Sequence, residues 1–151
     1  MVDNAHHAEA ENGFSLIELL VVILIIGILA AIAIPSFLNQ ARKANDASAK
    51  ELVRTAQTTM EAYANDHNGS TAGVSVPADL SAIEKSINTS SANGQAYLST
   101  ATASTGGYTV AATAAVTGDT FTVVNNNGKV THSCTAGSGS GSPGGCVGGT
   151  W

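Results

Sequence analysis

A carboxylate stands at the edge of a long apolar run. From Leu19 to Ile34 no side chain is charged or hydrogen-bonding, and the run widens to Phe14–Leu38 with Glu18 near its start. Wound as a helix, about 25 such residues cross the hydrocarbon core of a bilayer. Leu, Ile and Val surround the helix on every side, so it has no polar face. It must be buried all round, by lipid or by copies of itself. The run is too long for the apolar part of an ordinary secretory signal, and no small-x-small cleavage site follows it.

Three residues interrupt this uniformity. Glu18 is costly in hydrocarbon, by roughly 3 kcal/mol on insertion scales, unless a cation or a hydrogen-bonding group meets it. Gly27 lacks a side chain, and Pro35 removes a backbone donor and crowds the preceding turn. The stretch between them, "GILAAIAIP", is a place where a long helix can bend or unwind. No Lys or Arg lies between Met1 and Leu38, so the only cation that could meet Glu18 is a chain-terminal amine. A cut between Gly13 and Phe14, where the polar "MVDNAHHAEAEN" ends, would create that amine about one helical turn from Glu18. The pair could then form within one chain or between neighbours.

Beyond Pro35 the pattern turns soluble. "ARKANDASAKELVRTAQTTMEAYANDHNG" places Leu52, Ala56, Met60 and Tyr63 on one stripe at helical spacing, with Asp46, Lys50 and Arg54 on the wetter side. Gly69 is a stop signal. A single helix from Phe14 would reach roughly 75 Å, more than a domain of this size can bury, so its first half must serve as anchor or filament core. "VPADLSAIEKSI" reads as a short second helix with Pro77 in its first turn and Leu80, Ile83 and Ile87 as its buried edge. "QAYLSTATA", "GYTVAATAAV" and "TFTVVNNNGKVTHSC" read as strands, the last a hairpin whose "NNNG" tolerates positive φ. The expected fold class is α+β: a long N-terminal helix with a projecting hydrophobic half, packed in its C-terminal half on a small antiparallel sheet.

These residues carry a signature. "GFSLIELLVVILIIGILAAIAIPSF" resembles the N-terminal segment of bacterial type IV pilins of class a, closely over Gly13 to Gln40 and loosely over the helix beyond. The resemblance implies that a prepilin peptidase cuts after Gly13 and N-methylates Phe14. It implies that Glu18 neutralises the terminal amine of an adjacent subunit, and that the segment from Gly27 to Pro35 loses helical order in the filament. The chain then divides into a leader (1–13), a membrane and filament-core helix (14–38), its amphipathic continuation (39–68), a connecting loop with a short helix (69–96), a sheet (97–133) and a disulfide-closed C-terminal loop (134–151).

Cys134 and Cys146, the only cysteines, flank a Gly/Ser-rich loop. On the outer side of a membrane they are expected to pair, and closing so flexible a loop contributes about 3 kcal/mol in the chain-entropy model. In pilins such a loop lies on the filament surface. Two features depart from the family pattern: the leader carries Asp3, Glu9 and Glu11 in place of basic residues, and Arg42 and Lys43 follow the span. A positive-inside count would keep the C-terminal part in the cytoplasm, but long domains translocate regardless of flanking charge, and the expected disulfide needs an oxidising side.

Catalytic chemistry is not in evidence. With 11 acidic and 6 basic residues the chain offers no basic face for nucleic acid. His6 and His7 fall in the leader, and His67 and His132 are solitary in sequence. The two cysteines lack zinc-ligand spacing, so neither a metal nor any other cofactor is expected. "NGS" at Asn68 and "NTS" at Asn88 match the glycan-acceptor pattern, which is frequent by chance.

The expected function is structural: a type IV pilus subunit, no enzyme, that polymerises through its N-terminal helix. The precursor would sit in the cytoplasmic membrane and the product in an extracellular filament. Partners would be copies of itself, the membrane, the prepilin peptidase and the assembly machinery, with the filament serving adhesion, twitching motility or DNA uptake. The alternative is a pseudopilin of a type II secretion or competence system. Secretion pseudopilins generally lack a C-terminal disulfide and bind calcium in a loop, whereas this Gly/Ser tail has no acidic cluster. A membrane-anchored binding protein that never polymerises would leave the Gly13–Phe14 junction and Glu18 without purpose.

Overall fold

The computed structural model describes residues 13–138 and 145–151, so the leader, apart from Gly13, and the middle of the C-terminal loop lie outside the described residues. The chain forms two compact units, one ending at Phe37 and the other Leu38–Trp151. One helix, α1 (Leu16–Asp66, 51 residues), contributes to both. It begins two residues after Phe14 and stays helical through Gly27 and Pro35, without the break for which those residues provide. Among the described residues it is the one helix long and apolar enough to cross a membrane.

In the first unit every large apolar side chain from Phe14 onward is at least 44% exposed. A folded single chain leaves this surface without cover.

In the second unit α1 packs on a four-stranded antiparallel sheet of order β1-β2-β3-β4: β1 (Tyr97–Ser104), β2 (Gly107–Thr113), β3 (Thr120–Asn126) and β4 (Lys129–Thr135). The expected α+β architecture is the one observed. Alternation along the strands turns Leu98, Ala101, Tyr108, Val110, Phe121 and Val123 inward. Between β3 and β4, Asn127 and Gly128 adopt φ 51° and 82°, the two-residue turn that "NNNG" suggested. A matching reversal ends α1, where Asn68 and Gly69 take φ 53° and 83° and the Gly69 N–H bonds the Ala64 carbonyl at 2.6 Å.

The buried stripe of α1 differs from the expected one. Ala49, Val53, Ala56 and Met60 are fully buried, while Leu52 and Tyr63 flank them at partial exposure. Small residues at 49 and 56 let the helix backbone approach the sheet, which rotates the contact face away from the larger side chains. Asp46, expected on the wet side, is also fully buried. The second helix, α2 (Pro77–Ile83), is shorter than expected. Leu80 anchors it, but Ile83 is 51% exposed, because the chain turns extended at Glu84 and returns Ile87 to the core from outside the helix.

Candidate assembly site

Glu18 has a local role in the single chain. Ser15 precedes the first helical residue, and its hydroxyl accepts the Glu18 N–H at 3.2 Å. The Glu18 carboxylate reaches back to the Ser15 N–H at 3.5 Å. This is a capping box, Ser-x-x-Glu, at the positive end of the helix dipole. "SLIE" was legible as such a box, and the apolar run drew attention away from it. The arrangement fixes the carboxylate beside the residues just past the Gly13–Phe14 junction. A Cβ built on Gly13 meets nothing within 4 Å, and Phe14 is 78% exposed, so the junction stands clear of the fold.

Further along the helix, the missing side chain of Gly27 leaves a shallow apolar dent between Leu20, Ile23, Leu24, Ile28 and Ala31. Such a dent accepts a side chain from another helix. Glu18, Gly27 and Pro35 thus lie along one helix whose apolar surface is bare, with Phe14 two residues before its start.

A second constellation secures the C-terminal loop to α1, and sequence reasoning missed most of it. Buried Asp46 accepts the Thr117 hydroxyl at 2.5 Å and the Gly145 N–H at 2.6 Å. Asn45 accepts the Val116 N–H at 3.0 Å, and the Lys50 ammonium donates to the Gly145 carbonyl at 3.0 Å. Next to Gly145, Cys146 is joined to Cys134 with 5.6 Å between Cα atoms. The loop ends on Trp151, set edge-on to Phe121 and beneath the cations of Lys50 and Arg54. Asp46 sits one turn before Ala49 and two before Val53 on the same face. A carboxylate heading an apolar stripe was the available signal.

Polar chemistry elsewhere is structural. Tyr108 donates to Glu61 at 2.7 Å, and burial together with that carboxylate pushes its phenol above the ordinary range. Asp79 accepts the Ser75 and Val76 N–H groups at 2.8 and 3.0 Å, which hold its carboxyl below the usual range. His67 stacks on Tyr63, and His132 lies against Trp151. No group of three metal-ligating side chains occurs among the described residues.

Known proteins are similar to part of this sequence. The prokaryotic N-terminal methylation motif matches residues 10–34. The chain is 45% identical to the type IV wide pilus major component of Thermus thermophilus over 40% of its own length and 46% of that protein. It is 32% identical to the competence protein ComGC of Halalkalibacterium halodurans, over 53% of its own length and 70% of that protein. It is 36% identical to a type IV major pilin of Neisseria gonorrhoeae over 44% of each. The chain thus spans about half the length of two of these relatives and more of the third. No solved structure matches it. A bare, capped N-terminal helix carrying a methylation motif and continuing onto a small sheet defines a pilin-type structural subunit. The chain belongs to the type IV pilin family, whose members include competence proteins as well as pilus components.

Proposed function

We propose that the chain is the precursor of a filament subunit, cut after Gly13, N-methylated on Phe14, and polymerised through the helix from Phe14 to Leu38. The bare apolar surface of that helix carries the reading, since only lipid or neighbouring copies can cover it. Lipid holds the precursor in the cytoplasmic membrane. In the extracellular filament, copies replace the lipid. Moving from one apolar surrounding to another gains little by hydrophobicity, so packing and polar pairing must bias the exchange, aided by an assembly machinery.

Glu18 supplies the pairing. Cleavage frees an ammonium at Phe14, and the Glu18 carboxylate of one subunit meets the ammonium of the next. The dent at Gly27 receives a neighbour's side chain, and the segment from Gly27 to Pro35 lengthens or unwinds to fit the bundle. The filament serves adhesion, twitching motility or DNA uptake. A second reading, a competence pseudopilin, draws on the match to 70% of a competence protein. It differs in filament length and in loss of transformation without loss of long pili. Mass spectrometry of sheared surface filaments tests the first step: the expected chain begins at methylated Phe14, and filaments retaining residues 1–13 would overturn the processing.

A further inference from the structure

We infer that Asn68 is an acceptor for an N-linked glycan, and that Asn88, which matches the same sequence pattern, is not. The structure separates the two. Asn88 is partly buried, and its amide donates to the Ser90 carbonyl at 2.9 Å and the Ala96 carbonyl at 2.8 Å. Its Oδ1 also accepts the Ser90 N–H at 3.1 Å. A sugar on that nitrogen breaks the contact that holds the loop to Ala96, and a chain modified before folding could not close it.

Asn68 is the reverse case. It is exposed at the reversal that ends α1, and its carboxamide makes no hydrogen bond among the described residues. A Cβ built on Gly69 meets nothing within 4 Å, and Gly69 and Ser70 form one wall of an open cleft facing Ser104 and Thr105. Ser70, two residues on, is exposed, and among the described residues its hydroxyl is engaged only as acceptor of the Ala72 N–H at 3.3 Å. Helix ends open locally at little cost, which lets a transferase draw Asn68–Ser70 into its own groove.

Asp66 loosens the same turn. It is the last residue of α1, exposed, in a turn that holds no basic residue. A carboxylate at the negative end of a helix is disfavoured by the dipole. Two positions before Asn68, it weakens the last turn and makes local opening there easier. In the reaction the Asn68 amide nitrogen attacks the anomeric carbon of a polyprenyl-diphosphate-linked sugar. The new C–N bond replaces the sugar–diphosphate C–O bond, polyprenyl diphosphate leaves with the electron pair, and a carboxylate base of the transferase takes the amide proton.

The inference rests on the proposed location of the C-terminal unit outside the membrane, where such donors are used. Protein purified from the producing cells is digested and its glycopeptides sequenced by electron-transfer fragmentation, with the Cys134–Cys146 linkage mapped in the same sample. The expected result is sugar mass on Asn68, lost completely in both Asn68→Gln and Ser70→Ala and unchanged in Ser90→Ala. Bare Asn68 in disulfide-bonded protein overturns the inference alone, as does sugar found on Asn88 or only on hydroxyls. Free thiols with an uncleaved leader overturn the location and the inference together.

Discussion

Ser15 and Glu18 can be separated by substitution, because the capping box and the proposed intersubunit pair make different demands on them. Ser15→Ala removes the hydroxyl that accepts the Glu18 N–H at 3.2 Å and leaves the carboxylate in place. Loss of a cap costs about 1 kcal/mol, or roughly a fivefold effect. Glu18→Gln keeps an oxygen to accept the Ser15 N–H but removes the charge, so a buried ammonium is left without its partner. Breaking one side of a buried ion pair costs about 3–5 kcal/mol, or at least two orders of magnitude in the assembly equilibrium. The assay is the amount of sheared filament protein relative to processed subunit in the membrane, with N-terminal sequencing to verify that cleavage is intact. The expected order is a small loss for Ser15→Ala and a loss of about a hundredfold or more for Glu18→Gln. Equal losses would refute the reasoning, since they would make Glu18 a cap and nothing more.

Other consequences concern the C-terminal unit. Asp46→Ala removes an acceptor shared by Thr117 and Gly145. At about 1.5–3 kcal/mol per charged hydrogen bond, partly recovered by water, the loss is about 3–4 kcal/mol, and thermal unfolding of a Leu38–Trp151 fragment should fall by about 12–16 °C; a fall under about 3 °C would show that Asp46 does not secure the C-terminal loop. Because its backbone partners depress the folded carboxyl pKa of Asp79, its contribution is complete above the ordinary carboxyl range and is lost as pH falls through that lowered value. The Ser75 and Val76 amide resonances should therefore titrate with a midpoint below 3.8; a midpoint above that value would contradict the hydrogen-bond geometry.

Where the sequence was informative, the signal was local. Glu18 stood out because a carboxylate in an apolar run has a physical cost that needs an explanation. Asn127–Gly128 stood out because few residues accept positive φ. Asp46 did not stand out, since beside Asn45 and one turn from Lys50 it looks like part of a solvated face. Its partners lie 71 and 99 residues away, beyond any local pattern. Ile83 misled because it closes a helix of only seven residues, and the chain leaves helical geometry at Glu84, so the expected apolar edge does not continue on that face. At Gly27 and Pro35 the residues permit a break that the single chain does not make.

The central claim is that a new terminal ammonium meets a carboxylate of an adjoining subunit inside an apolar bundle. A density map of the assembled filament at side-chain resolution measures this directly. The Glu18 carboxylate of one subunit should lie within about 3 Å of the Phe14 nitrogen of another. Glu18 turned to solvent, or bonded only to Ser15 of its own chain, would contradict the account.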